Sequence, residues 1–134
     1  MIRPVEQDER EATVALWQAC GLTRPWNDPR ADFDRAHGGP SSTVLGAFAD
    51  GVLVGSAMVG HDGHRGWVYY LAVAPEQRGR QLGRALMDAC EAWLVARDIP
   101  KIDVMIRNEN AATRGFYAAL GYTLDDVVVM SRRF

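Results

Sequence analysis

Three arginines stand close together near the middle of the chain, where an apolar, strand-like run gives way to a helical pattern. Arg78, Arg80 and Arg84 fall within seven residues, and Glu76 is the acidic residue nearby. The partial positive charge of a helix N-terminus makes each such cation unfavourable by about 0.3–1 kcal/mol. A negatively charged ligand reverses that sign, and guanidinium groups match the geometry of a phosphate. The pattern therefore predicts a site for a phosphate-bearing ligand.

Two glycines, Gly79 and Gly83, accompany these arginines. Without a Cβ, they would let backbone N–H groups come close to the ligand. Two better-known phosphate motifs do not fit: a Walker loop needs a lysine after its second glycine, and the only lysine is Lys101. A Gly-x-Gly-x-x-Gly dinucleotide fingerprint is absent as well. A solvated arginine-rich turn, with glycines that only cap a helix, stays open as the alternative.

A second candidate group lies nearer the C-terminal end. Asn110 and Tyr117 are seven residues apart, which is two helical turns or about 10 Å, so they share one helix face. Phe116 and Leu120 point elsewhere, toward the core. A tyrosine that is half-buried only for packing is the alternative interpretation of Tyr117.

The elements that must position these residues follow from hydrophobic periodicity and turn signals. The predicted strands cover residues 2–5, 43–49, 52–60, 67–73 and 101–107, with one or two closing strands in 122–133. The predicted helices cover residues 8–20, 30–36, 82–96 and 110–120. Asp50-Gly51 predicts a tight hairpin turn, and Cys90 shares the apolar stripe of the third helix. We expect an α/β fold (α+β by some schemes) with a mixed sheet of six to seven strands and about four helices.

Composition limits the class of protein. The 134 residues predict a single domain, residues 1–134, and 48% hydrophobic with 24% charged residues is typical of a globular chain. The net charge of −2 argues against a nucleic-acid-binding surface. No apolar run approaches the roughly 20 residues of a membrane span, and the first residues have no signal-peptide core, so we expect a cytoplasmic protein. Cys20 and Cys90 lack metal-site spacing, and we expect no metal.

Two runs resemble the GNAT N-acetyltransferases. Residues 78–83, Arg-Gly-Arg-Gln-Leu-Gly, are similar to the family's Arg/Gln-x-x-Gly-x-Gly/Ala signature, and residues 108–122 are similar to its Asn-x-x-Ala-x-x-Phe-Tyr-x-x-x-Gly-Phe/Tyr pattern. Gln81 replaces a preferred glycine, which is tolerable if its φ stays negative, and Thr113 replaces a usual alanine. The loops 24–29 and 61–66 look like a small stand-alone bacterial subgroup, the YpeA type. The resemblance implies a mostly antiparallel, acyl-CoA N-acyltransferase-like sheet.

The resemblance also implies a co-substrate, acetyl-CoA, and residues that bind it. The family's fourth strand pairs with the pantetheine arm and the acetyl carbonyl, and the signature binds the pyrophosphate. The implied cofactor-binding residues are Leu71, Ala72, Val73, Arg78, Gly79, Arg80, Gln81, Leu82, Gly83, Arg84 and Asn110. In the same way, the N–H of Leu71 would polarise the acetyl carbonyl. Tyr117 would protonate the departing thiolate, and a phenol of pKa near 10 is a reasonable donor to that group.

The general base and the acceptor site are less well marked. Residues 67–73 contain no acid, although many family members carry a glutamate on this strand. His64 and Asp62, in the preceding loop, are the candidates, together with Glu109, and a surface turn in which Asp62 bonds its own backbone is the alternative. Predicted substrate-binding residues lie between the first two helices: Arg24, Trp26 and Asn27, with Trp17 beside them. Alternatively, Trp17 belongs to the core and Trp26 only fixes its loop.

The leading hypothesis is an N-acetyltransferase that moves the acetyl group of acetyl-CoA to a primary amine by direct attack in a ternary complex. The acceptor would be a small molecule, an amino acid or a peptide N-terminus, with no nucleic acid or membrane partner. A non-catalytic acyl-CoA-binding module is the first alternative, since the strand acid is missing. A nucleotide-binding domain of another fold is the second. Pairing into a homodimer is left open.

Overall fold

The computed structural model describes all residues, 1–134, which form two compact units, Met1–Val104 and Met105–Phe134. The strands of the first unit are Ile2–Pro4 (β1), Ser42–Ala49 (β2), Val52–His61 (β3), Gly66–Val73 (β4) and Ile102–Val104 (β5). Its helices are Arg10–Ala19 (α1), Pro29–Ala36 (α2) and Leu82–Val95 (α3). The second unit contains one helix, Ala111–Ala119 (α4). None of these helices combines the length and apolar character that crossing a bilayer requires.

The sheet has the strand order β1-β2-β3-β4-β5. The first three pairings are antiparallel and the β4–β5 pairing is parallel, because α3 returns the chain to the end at which β4 began. The four helices and the mixed, mostly antiparallel sheet were predicted correctly. The prediction of six to seven strands was wrong, because the sheet has five.

The missing strands belong to the C-terminal segment. Residues 122–134 form no strand, and the fifth strand covers Ile102–Val104 where residues 101–107 were predicted. A β-rich sequence shows that a segment suits a pleated surface, whereas a strand also needs a neighbour to accept its backbone hydrogen bonds. Local sequence therefore overestimated the sheet at this end.

The apolar face of α3 forms much of the core. Leu86, Met87 and Cys90 are fully buried and Leu94 almost so, and this stripe contacts β2, β3 and β4. The prediction that Cys90 belongs to the core is confirmed. Burial raises the pKa of its thiol to about 12, with a smaller effect of Glu91. Since α3 lies flat on the sheet, its N-terminus is held at the end of β4.

The start of α3 contains a strained residue. Gln81 is the N-cap, with φ 61° and ψ 18°, and its side chain makes no capping hydrogen bond. The negative φ that would make glutamine tolerable in place of the preferred glycine is therefore not found. The chain leaves a 3-10 turn, Pro75–Gln77, and passes through Gly79 at φ 82° before it can begin the helix. A left-handed conformation costs a residue with a Cβ about 1–2 kcal/mol.

Replacing Gln81 by glycine should stabilise the protein by about 1 kcal/mol, since glycine adopts this conformation without a steric cost. Urea unfolding followed by circular dichroism measures the change. Gln77→Gly is the matched control: Gln77 does not have a positive φ, so the control should leave stability unchanged or lower it. Equal destabilisation by both substitutions would show that the left-handed backbone is not the source of strain.

Candidate active site

The corner at which β4 leads into α3 carries three guanidinium groups without a protein partner, two in the loop and one in the first turn of the helix. Arg78, Arg80 and Arg84 are exposed and make no ion pair or side-chain hydrogen bond. Other arginines are neutralised by carboxylates: Arg3 by Glu9, Arg10 by Asp34, Arg30 by Glu11, Arg35 by Asp32 and Arg65 by Asp103. Three cations without a carboxylate partner thus lie together where the sequence predicted an anion site.

The N-terminus of α3 adds backbone donors to this charge. No acidic residue lies in its first turn and no side chain caps it, so the first N–H groups of the helix have no protein acceptor. Left-handed Gln81 is followed directly by the right-handed helix, an alternation that turns successive N–H groups toward one concavity. A Cβ added at Gly79 would meet nothing within 4 Å. The corner is therefore open, positively charged and lined with donors.

Strand β4 offers a second set of backbone groups. It pairs with β5 only over Gly66–Val68, so the edge of Tyr69–Val73 opposite β3 has no strand neighbour. Ala74 donates its N–H to Val54 O at 2.8 Å, and alternate residues of an antiparallel strand point their N–H groups to the same side. The N–H groups of Leu71 and Val73 therefore face the free edge, as the predicted contacts with a pantetheine arm require.

A bulge interrupts β4 just before these donors. Ser56 pairs with Ala72 but Met58 pairs with Tyr69, so Tyr70 and Leu71 together face one residue of β3. Tyr70 has φ 54°, which is a rare conformation for a bulky residue and costs on the order of 1–3 kcal/mol. Sequence reasoning missed Tyr70, because nothing local distinguishes a tyrosine with positive φ from an ordinary strand residue.

His64 and Asp62 lie in the turn between β3 and β4. The Asp62 Oδ1 accepts the backbone N–H groups of His64 and Arg65 at 2.9 and 2.8 Å, so the surface-turn interpretation describes it well. The hydrogen bonds from Arg65 and then His64 lower the pKa of Asp62, which makes it a weaker base. Leu71 is five strand residues beyond Gly66, about 17 Å. Direct proton transfer from an amine near Leu71 to this turn would exceed hydrogen-bond reach.

The predicted acceptor residues occupy the connection between α1 and α2. Arg24 donates from Nη1 to the carbonyl oxygens of Gly21 and Thr23 at 2.8 and 2.9 Å, which closes the end of α1. Trp26 is 52% exposed, and Asn27 donates its backbone N–H to Arg24 O. Trp17 is fully buried, so its assignment to the core is confirmed. Trp26 is thus the large aromatic side chain that this connection presents to solvent.

The second unit carries the two remaining candidates. Asn110 is the N-cap of α4, and its Oδ1 accepts from the Thr113 N–H at 3.1 Å, so its amide NH₂ is what it can offer a ligand. Tyr117 is 7% exposed. Its ring meets those of Phe116 and Tyr122 with centroids 5.0 and 5.4 Å apart. Tyr117, and not Phe116, is therefore the most buried aromatic residue of α4.

The sequence is similar to known acetyltransferases along nearly its whole length. The sequence profile of the acetyltransferase (GNAT) family matches residues 3–122. An acetyltransferase of Yersinia pestis (strain Pestoides F) is 42% identical over 98% of this chain and 94% of its own length. An acetyltransferase of Pectobacterium atrosepticum is 44% identical with the same coverage.

Solved structures agree in fold. The aminoglycoside acetyltransferase AAC(6')-Iy, solved with a CoA-containing bisubstrate analogue, superposes with a TM-score of 0.84 over 100% of this chain and 97% of its own, at 21% identity. The resemblance carried by residues 78–83 and 108–122 is thus confirmed. The chain belongs to the acetyltransferase (GNAT) family of acyltransferase enzymes.

Proposed function

We propose that this protein is an N-acetyltransferase that transfers the acetyl group of acetyl-CoA to a primary amine. The observation that carries the proposal is the unpaired charge of Arg78, Arg80 and Arg84 at the uncapped N-terminus of α3. A pyrophosphate would neutralise these guanidinium groups and accept the free N–H groups of the helix. No carboxylate of the protein does so.

The free edge of β4 fits the rest of the same ligand. The N–H groups of Leu71 and Val73 lie on that edge, with Ala72 between them turned to β3. An extended arm that contains amides can add to such an edge by main-chain hydrogen bonds. AAC(6')-Iy has been solved with CoA, which supports the choice of ligand. The β4 residues 71–73 and the pyrophosphate residues 78–84 are separated by four residues only, which suits one elongated ligand.

The reaction would be a direct attack in a ternary complex. The amine nitrogen adds to the thioester carbonyl carbon, the C–S bond breaks, and the Leu71 N–H stabilises the negative charge on the carbonyl oxygen. Tyr117, assigned from the family's Phe-Tyr pattern, gives its proton to the thiolate and regains one from the proton that the nitrogen loses as the amide forms. The amine must first lose a proton, and His64 and Asp62 would receive it through a chain of waters.

The acceptor is proposed as a small-molecule or peptidyl amine. AAC(6')-Iy was solved with an acetylneamine derivative, an amine-bearing small molecule. Arg24, Trp26 and Asn27 would line the acceptor side, with Trp26 as the contact surface. The family match crosses the boundary between the two units, which supports one functional domain over residues 1–134. Both cysteines are free, in keeping with a reducing compartment such as the cytoplasm.

Calorimetric titration with CoA tests the carrying observation. The double variant Arg78→Ala/Arg80→Ala should bind CoA at least about tenfold more weakly, since a hydrogen bond to a charged group contributes about 1.5–3 kcal/mol. Binding by the wild type should also weaken as salt is raised. Arg30→Ala, which removes an arginine already paired with Glu11, is the control and should bind normally. Absence of heat with the wild type would refute the proposal.

Replacing Tyr117 by phenylalanine tests the proton donor. Loss of the hydroxyl should lower kcat by about a hundredfold or more, with unchanged affinity for CoA. Free thiol released from acetyl-CoA with a panel of amines measures turnover. Tyr122→Phe, in the ring next to Tyr117, is the matched control and should keep its activity. A wild-type protein that binds CoA but acetylates no amine would instead be a non-catalytic binding module.

We further propose that the chain forms a homodimer through residues 125–133. Four consecutive apolar side chains of this segment are strongly exposed: Val127, Val128, Val129 and Met130, at 72%, 89%, 62% and 92%. Two antiparallel copies of the segment would be complementary in charge, because acidic residues precede the apolar run and basic residues follow it: Asp125-Asp126 and Arg132-Arg133. In an antiparallel pair about a two-fold axis at Val129, Asp126 lies opposite Arg132, a favourable cross-strand arrangement.

Charge reversal tests this dimer. Asp126→Arg alone and Arg132→Asp alone should each shift the protein toward the monomer in sedimentation velocity, because like charges then face each other. A chain that carries both substitutions restores opposite charges and should dimerise again. A wild-type monomer, or dimers that ignore both single substitutions, would contradict the assignment.

A further inference from the structure

The left-handed residue of the β4 bulge is held by three side chains from other elements. The Tyr70 ring stacks on the Trp17 indole, with centroids 3.9 Å apart and planes 11° from parallel. The Tyr70 hydroxyl donates to Asp32 Oδ2 at 2.7 Å. Trp17 in turn donates its Nε1–H to Ser56 Oγ at 3.0 Å. We call Tyr70, Trp17, Asp32 and Ser56 the bulge latch.

The bulge latch includes residues of β4 and of its neighbour β3, so both strands of the pair are fixed at the bulge. Trp17 and Ser56 are fully buried, and Ser56 pairs directly with Ala72 just beyond the bulge. Burial, and then the hydrogen bond with Asp32, raise the pKa of Tyr70, so its hydroxyl remains a donor at all ordinary pH values. The stacking on Trp17 and the hydrogen bond to Asp32 together hold the Tyr70 ring in one orientation.

The position of this ring has a direct consequence for the next residue. The φ and ψ angles of Tyr70 determine the plane of the peptide that contains the Leu71 N–H. That N–H lies on the free edge of β4. If Tyr70 relaxed to a negative φ, the bulge would rearrange and the N–H would turn. The hydroxyl of Tyr70 therefore controls the orientation of the N–H group of the next residue, Leu71.

We propose that Asp32 is a positioning residue for acetyl transfer: through Tyr70, it holds the β4 bulge so that the Leu71 N–H faces the thioester carbonyl. The inference rests on the proposed function, since it presumes acetyl-CoA along β4. Asp32 makes its side-chain hydrogen bonds with other side chains. Its Oδ1 accepts from Arg35 at 3.0 Å, and its Oδ2 is committed to Tyr70.

The direct readout is the carbonyl stretch of bound acetyl-CoA that carries ¹³C at the acetyl carbonyl, measured by difference infrared spectroscopy. In the wild type, the stretch should fall below its value in water because the N–H polarises the carbonyl. In Asp32→Ala and in Tyr70→Phe, it should return toward the value in water. The affinity for CoA should stay within about twofold of the wild type, and kcat should fall about tenfold or more. A role in stability alone would not move this frequency.

Three further variants make the test specific. Asp32→Asn keeps an acceptor for the Tyr70 hydroxyl and should retain most of the shift. Asp34→Ala removes a carboxylate of the same helix that pairs with Arg10 and should behave as the wild type. In a Tyr70→Gly background, Asp32→Ala should have no further effect, since glycine adopts the left-handed conformation without help.

The outcomes separate the two proposals. A wild type that binds no CoA would overturn the proposed function, and the latch's role with it. Normal binding and a shifted carbonyl that survives both Asp32→Ala and Tyr70→Phe would overturn the latch alone. If Asp32→Ala does not fold, Tyr70→Phe decides, because it keeps the ring and its stacking on Trp17. An equal effect of Asp32→Ala in the Tyr70→Gly background would also contradict the mechanism.

Discussion

Strand β4 has a neighbour on both edges only as far as Val68, and the arrangement of the candidate site follows from that limit. Parallel pairing with β5 covers three residues, whereas antiparallel pairing with β3 continues to Val73. Unpaired backbone groups at a strand edge need an acceptor or donor from water, ligand or another chain. An extended ligand that carries amides satisfies them in the way a further strand would. The free edge is thus both the structural irregularity and the basis of the proposed binding.

The pairing of charged side chains also distinguishes the candidate site from the rest of the first unit. The chain has a net charge of −2, so no overall field attracts anions. The first unit instead pairs Arg3, Arg10, Arg30, Arg35 and Arg65 with carboxylates and leaves the β4–α3 corner unpaired. Exposed ion pairs contribute little to stability, but they cancel the potential around themselves. Three arginines without a carboxylate partner lie together at the uncapped end of α3.

Two left-handed residues mark the ends of the region that would hold the ligand. Gln81 opens α3 without a side-chain cap, and Tyr70 forms the β4 bulge under the hold of Trp17 and Asp32. The orientation of the backbone N–H groups beside these two residues depends on the left-handed conformation, which residues with a Cβ usually avoid. Strain of this kind persists only where the surroundings fix it. At Tyr70 those surroundings are visible as a stacked ring and a short hydrogen bond.

The sequence by itself determined the local elements and the chemistry of the corner. Asp50-Gly51 predicted the β2–β3 hairpin, the apolar stripe predicted α3 and its buried Cys90, and residues 78–84 predicted the cluster of cations for which an anion site is proposed, because each signal lies within a few neighbouring residues. Only the tertiary structure decided the five-strand sheet, the positive φ of Gln81, and the bulge at Tyr70. Those features depend on partners far along the chain: residues 122–133 form no strand, and Tyr70 is held by Asp32 and Trp17. Local sequence cannot specify such contacts, because their free energy arises only when distant segments pack.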